Sequence, residues 1–265
     1  MYFVILAFIA IASLLVWYLL VHDHGRKLPV ATLWYACGFG VMAMGLAMGL
    51  ERLFLPSNFV IAPQEFPFVK QLGYFMSIGF IEETAKFLPL ALFIYKRDYF
   101  REHTDGCIYF AICGLTFGLV ENILYTVSYG TTVGLTRLLL TPFLHAASTS
   151  ILGYYLVSWK LQSSHWKRFA VAAVLVPLMH GLYDLGMGAD ALSLQVLSLM
   201  LTLLFSMGLF LYFMEANELD RVMARRPVGF ALQPISTGHE PNFCTTCGQA
   251  NVYHRAYCEH CGRKL

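Results

Sequence analysis

Gln71–Tyr95, QLGYFMSIGFIEETAKFLPLALFIY, is an apolar run long enough to cross a bilayer, yet Glu82, Glu83 and Lys86 lie near its middle. About 20 apolar residues suffice for a membrane helix. An ionised side chain at the bilayer centre costs roughly 2.5 to 3.5 kcal/mol on insertion scales, so three in one span are tolerated where they face a protein interior or a water-filled cavity. The run therefore reads as one helix of a bundle, and its charges mark a candidate site.

Six further apolar runs flank it, near residues 2–21, 30–50, 107–128, 135–158, 169–189 and 191–214. The chain is 58% hydrophobic and only 13% charged, about half the charge of an ordinary soluble domain. These features predict an all-α polytopic membrane protein, a bundle of about seven transmembrane helices in a lipid bilayer. The first run has no basic residue before it, and its small residues Ala10 to Ala12 lie inside the apolar stretch, so it reads as a retained anchor. Gly38, Gly40, Gly45 and Gly49 suggest close helix packing in the second run. A net charge of +2 without a long basic run gives no reason to expect a nucleic-acid partner.

Lys and Arg orient the bundle. Arg26, Lys27, Lys96, Arg97, Arg101, Lys160, Lys167 and Arg168 follow odd-numbered runs, whereas only Arg52, Lys70 and Arg137 fall in the alternate loops. By the positive-inside rule the N-terminus is expected outside and the C-terminus in the cytoplasm. Residues 1–214 then form a membrane domain, 215–241 a cytoplasmic linker rich in charge and then in Pro and Gly, and 242–265 a second module.

That module holds Cys244-Thr-Thr-Cys247-Gly248 and Cys258-Glu-His-Cys261-Gly262. Two residues between thiolates let one tight turn present both sulfurs to a tetrahedral zinc, and the following glycine suits a left-handed backbone. Four cysteines complete the coordination shell, so a small zinc ribbon with a structural ion is expected, and a cytoplasmic protein partner for it. His254 and His260 are near enough in sequence to compete as ligands.

Within the bundle, Glu82, Glu121, His145 and His180 fall at similar depths, roughly 17 to 21 Å from the same membrane face at 1.5 Å per residue. Nothing in antiparallel connection forces this agreement, and it points to one shared cavity. Glu82 and Lys86 are four apart and can pair, while Glu83 points about 100° away toward other helices. Phe117 and Glu121 share a face, as do His180 and Asp184, so Asp184 is expected to fix the His180 imidazole. Asn122, Ser148 and Thr149 add hydrogen-bonding groups.

Glu82-Glu83-Thr84-Ala85-Lys86 resembles the EExxK motif of the PrsW family of intramembrane proteases. Phe117-Gly-Leu-Val-Glu121-Asn122 is similar to its FxxxEN segment, and His145 and His180-Gly-Leu-Tyr-Asp184 to its histidine motifs. The wider group of CAAX proteases and bacteriocin-processing enzymes has EExxxR, FxxxH and HxxxN, from which this chain departs at Lys86, Glu121 and Asp184. The resemblance implies cleavage of a membrane-embedded or membrane-proximal protein in a bacterial cytoplasmic membrane, with an anti-sigma-factor-like single-pass protein as the type of partner.

The chemistry then expected is water activation. Glu82 acts as general base, Glu83 holds the water or a neighbouring helix, and His145 and His180 donate to the oxyanion or shuttle the proton. Glu121 orients a histidine, with Lys86, Phe117, Asn122 and Asp184 in support. The same carboxylates and imidazoles are ligands that an active-site metal accepts, although no HExxH is present. Two other classes of function fit the sequence: a proton- or cation-coupled transporter, because such groups also form relays, and a non-enzymatic scaffold that displays the ribbon.

Overall fold

The computed structural model describes residues 2–56, 66–138, 140–189, 191–224, 242–244, 246–251, 258, 261 and 263. The stretch read as a Pro/Gly-rich linker, 227–241, and His254 and His260 lie outside the described residues. Among those described are α1 (Tyr2–Val21), α2 (Val30–Phe54), α3 (Phe68–Ile94), α4 (His103–Tyr129), α5 (Thr131–Arg137), α6 (Thr141–Leu161), α7 (Trp166–Met187) and α8 (Leu192–Ala224).

The seven long helices follow the seven apolar runs, so the membrane domain is helical as expected. Five of them, α1, α2, α4, α7 and α8, are long and apolar enough by composition to cross a membrane. The two that fall short are α3, which carries Glu82, Glu83 and Lys86, and α6, which carries His145, Ser148, Thr149 and Ser150. Both bury these polar groups against neighbouring helices. The lipid-facing surface belongs largely to α1, α2 and α8, where residues such as Leu14, Trp34, Met200 and Leu203 are exposed.

Glycine sets the closest approach. A β-carbon at Gly106 of α4 would fall on the carbonyl oxygen of Gly153 in α6, and one at Gly153 on that of Gly106. Gly114 and Gly118 meet the backbone and ring of His145 in the same way, so the α4–α6 pair closes through bare backbone. Gly79 of α3 packs likewise against Pro177 and Gly181 of α7. Of the four glycines singled out in the second run, only Gly40 makes such a contact, against Cys113 and Thr116; Gly38, Gly45 and Gly49 face open space.

Two elements differ from the sequence reading. The fifth run is broken: α5 ends at Arg137 and α6 begins at Thr141, with Pro142 in its first turn, where a missing N–H costs nothing. The last helix does not stop at 214 but continues to Ala224, so the first part of the expected linker is helix. Its extra turns are held by polar contacts. Asp220 Oδ1 accepts the His103 backbone N–H (2.9 Å) and bonds His103 Nδ1 (2.9 Å), and Oδ2 accepts the Thr104 N–H (2.8 Å), capping α4 from another helix. Asn217 Oδ1 accepts the His24 N–H at 2.8 Å. Asp23, in the α1–α2 connection, is half-buried, and burial raises its carboxyl above the ordinary range although the Gly25 N–H bonds to it.

Near the C-terminus, β1 (Asn242–Phe243) pairs antiparallel with β2 (Ala250–Asn251). Between them the Gly248 N–H returns to the Cys244 carbonyl at 2.8 Å, with Gly248 at φ +70°, the left-handed turn expected after Cys247.

Candidate active site

Glu82, Glu83 and Lys86 are all buried on adjacent turns of α3. Lys86 Nζ donates to Glu82 Oε2 (3.1 Å) and Glu83 Oε1 (3.0 Å), so one ammonium serves both carboxylates. It also lies 2.8 Å from His145 Nδ1 and 4.0 Å from the centre of the Phe117 ring. An ammonium has only protons to offer, so His145 Nδ1 accepts and Nε2 carries the proton, which it donates to Glu121 Oε2 at 2.8 Å. A continuous chain of charge-assisted bonds thus runs from α3 through α6 to α4.

Glu83 is the most heavily bonded group. Besides Lys86 it accepts from Ser148 Oγ (2.9 Å) and Thr149 Oγ1 (3.3 Å) on α6, and from His180 Nδ1 (2.7 Å) on α7. The proton on His180 Nδ1 leaves the Nε2 lone pair directed toward Glu82 Oε2 and Asp184 Oδ2, each 3.6 Å away. Asp184 was expected to orient this imidazole; the distance is too long for a hydrogen bond, and Glu83 does so instead. Neither His180 Nε2 nor Asp184 Oδ2 has a hydrogen-bond partner among the described residues, although both are buried.

The sequence reading missed Arg137, counting it as a loop charge. It is buried at the end of α5, with Nη2 donating to Glu121 Oε1 (2.7 Å) and Nε to Asn122 Oδ1 (2.9 Å), and its guanidinium lies 4.0 Å from the centre of the Tyr125 ring. A fork of donors on a planar cation can hold a carboxylate and an amide at once. The signal that could have found it is Pro142, which sits in the first turn of a new helix and so breaks the apolar run just after Arg137. Glu51, near the end of α2, also interacts electrostatically with Glu121 and Asp184.

These groups flank a cavity of about 280 Å³. Glu82, Glu121, Arg137 and Asp184 supply its polar wall, and Phe75 and Met187 are among its apolar lining. All nine residues expected at the site, from Glu82 to Asp184, therefore lie in or against one cluster: Phe117 under Lys86 and Asn122 beside Arg137 complete it.

Charge is not balanced. Counted as carboxylates, Glu82, Glu83, Glu121 and Asp184 outnumber Lys86 and Arg137 by two with neutral imidazoles, and Glu51 adds a further carboxyl nearby. Bound protons or a divalent cation would each offset the excess. Ligand atoms of Glu82, His145 and His180 lie within 4.8 Å of one another, near enough to share an ion. The Lys86 ammonium already takes the His145 Nδ1 lone pair and one oxygen of Glu82, whereas His180 Nε2 and Asp184 Oδ2 have no partner among the described residues. The donor set therefore fits a metal at the His180 corner without requiring one.

Near the C-terminus, the sulfurs of Cys244, Cys247, Cys258 and Cys261 also lie within 4.8 Å of one another. Cys244–Cys261 and Cys247–Cys258 are both 3.5 Å apart, too far for a disulfide and close to the edge of a tetrahedron of thiolates about a metal ion. These four cysteines form a cluster able to hold a metal ion.

The fold and this cluster define a polytopic integral membrane protein with carboxylates, imidazoles and an ammonium assembled beside a cavity within its helices. The chain belongs to the PrsW family: the model of the PrsW family intramembrane metalloproteases matches residues 28–213. It is 35% identical over 146 residues to Protease PrsW of Halalkalibacterium halodurans, covering 55% of this chain and 65% of that protein. It is 36% identical over 112 residues to Protease PrsW of Bacillus subtilis (42% and 51%), and 28% identical over 185 residues to that of Geobacillus kaustophilus (69% and 79%). The chain spans roughly half to two thirds of the first two relatives. No solved structure matches it significantly.

Proposed function

We propose that the chain is an intramembrane endopeptidase that cleaves membrane-embedded or membrane-proximal polypeptides, with Glu82 as general base. One observation carries this reading. Glu82 has a single hydrogen-bond partner among the described residues, Lys86, and lines the cavity, whereas Glu83 is committed to Lys86, Ser148, Thr149 and His180. The freer carboxylate is the one able to bind water and take its proton.

In this scheme water beside Glu82 gives up a proton to the carboxylate as its oxygen bonds to the substrate carbonyl carbon. Lys86 holds the Glu82 carboxyl at the cavity wall, and Arg137 on the same wall offers N–H groups to the oxyanion. Collapse breaks the C–N bond, and the proton passes from Glu82 to the leaving amine, directly or through His180 Nε2. Glu83 fixes His180, and Glu121 fixes His145. The substrate class, including an anti-sigma-factor-like single-pass protein, rests on family membership.

A second reading, a metal held by Glu82, His180 and Asp184, is favoured by the excess of carboxyls over cations and by the unpartnered His180 Nε2 and Asp184 Oδ2. A bound metal would supply Lewis-acid polarisation of the carbonyl. We also infer a membrane unit ending near residue 224, a linker, and a ribbon at 242–265 that binds structural zinc and meets a cytoplasmic partner. The N-terminus lies outside a bacterial cytoplasmic membrane; burial of Arg137 strengthens that assignment by removing one of three outer basic residues.

The test is cleavage of single-pass membrane proteins by the purified chain and by E82Q, E83Q, H145A and H180A, with metal content measured in parallel. Each substitution is expected to abolish most turnover in folded protein. Normal turnover by all four would reject the site. One zinc, lost with C244S/C247S, supports the glutamate scheme; a second metal, lost with E82Q or H180A, supports the other.

A further inference from the structure

A larger cavity lies on the opposite side of α7 from the carboxylates. It is a furrow of about 730 Å³ between α6, α7 and α8, open to the membrane. Ile151, Val176 and Phe205 form its buried floor, and Val171, Leu204 and Leu211 rise exposed along its walls.

Its polarity is one-ended. Lys167, Arg168, Tyr212 and Glu215 line the end formed by the start of α7 and the later turns of α8, while Met179 and Leu204 line the other. From Lys167 to Met179 along α7 is about 18 Å at 1.5 Å per residue, close to one leaflet of a hydrocarbon core about 30 Å thick. Exposed Trp166, and Trp159 stacked on Phe169 at 5.3 Å, place the polar end at the level where aromatic side chains mark the membrane interface.

We propose that this furrow is a binding site for one anionic phospholipid, with its phosphate at Lys167 and Arg168 and an acyl chain along Val171, Leu204 and Leu211. A membrane-spanning peptide segment is a poorer match, because it needs the full bilayer thickness and polar anchors at both ends. The headgroup preference follows from charge. Lys167 and Arg168 are exposed, and neither has a carboxylate within 4.0 Å among the described residues; Glu215 at the same end leaves the rim net positive. Basic side chains at this level attract acidic headgroups. The site is independent of the proposed proteolysis.

The test places the full-length protein in phosphatidylcholine bilayers carrying a trace of spin-labelled phosphatidylglycerol or spin-labelled phosphatidylcholine. Electron spin resonance then reads the label immobilised by protein. Phosphatidylglycerol is expected to associate several-fold more strongly, with selectivity falling roughly fivefold for each charge removed in K167Q and K167Q/R168Q and falling as salt is raised. G208L keeps both charges but projects into the furrow, where its β-carbon meets only the flexible end of Ile151, and is expected to lower immobilisation of the acidic label. Equal association of the two labels with the unaltered chain would overturn the proposal even if a variant failed to fold. So would selectivity that survives K167Q/R168Q, or displacement of both labels alike by an uncharged transmembrane peptide.

Discussion

Arg137 holds the outer end of the bonded chain that passes through Glu121 and His145 to Lys86. Removing one partner of a buried ion pair strands the other charge, at a cost of about 3 to 5 kcal/mol. R137Q is therefore expected to lower the unfolding temperature markedly in detergent, and E121Q in the same chain to recover part of the loss. R137K keeps the charge but cannot span Glu121 and Asn122 together, so it should fold and lose turnover with little change in KM. A KM effect without a kcat effect would place Arg137 in substrate binding instead. Residue by residue, the site was legible where a charge interrupts an apolar run, because lipid cannot solvate it: Glu82, Glu83, Lys86 and Glu121 declare themselves in this way. Arg137 did not, since a basic residue between two apolar runs looks like any loop charge until the chain is seen to fold back. The partner of His180 was misassigned for a related reason. Helical spacing brings Asp184 to the same face, but it cannot reveal that a glutamate from α3 comes nearer.

At the scale of the element, α4 and α6 form the frame on which Glu121 meets His145. Their contact runs through Gly106, Gly114, Gly118 and Gly153, so an added methyl group there has to part the helices. G153A is expected to destabilise the protein by about 1 to 3 kcal/mol, as overpacking does, and to reduce cleavage beyond what the lost stability explains. G45A, whose β-carbon meets no atom within 4 Å, should be neutral or slightly stabilising, because alanine is the better helix former. Thermal unfolding of the two variants side by side checks both. The existence and order of the long helices were legible from apolar length alone. The small-residue seam was not, because glycine spacing in a single helix does not say which face meets a neighbour; the glycines of α2 drew notice, yet the tighter seam lies between α4 and α6. The break before α6 was written in Pro142 but was masked by the apolar residues on either side.

For the whole molecule, the four cysteines share no residue with the carboxylate and imidazole site, and removing any metal they hold is expected to leave the thermal transition of the bundle in place. The chain between them is less dispensable than its composition suggests. α8 reaches past the apolar run to bring Asn217 onto the α1–α2 connection and Asp220 onto the first N–H groups of α4. A chain shortened after residue 224 should retain the stability and any turnover of the full protein, whereas one ending at 214 should lose both; equal behaviour of the two would show that these contacts contribute little. The abrupt rise in charge after Phe213 looked like the start of a tether because charged residues leave a bilayer, but leaving the bilayer is not the same as leaving the fold. One aspartate serves as the clasp between the last helix and the one bearing Glu121. Any tension applied to the tail would thus be felt first at the front of α4, 18 residues along the same rod from Glu121.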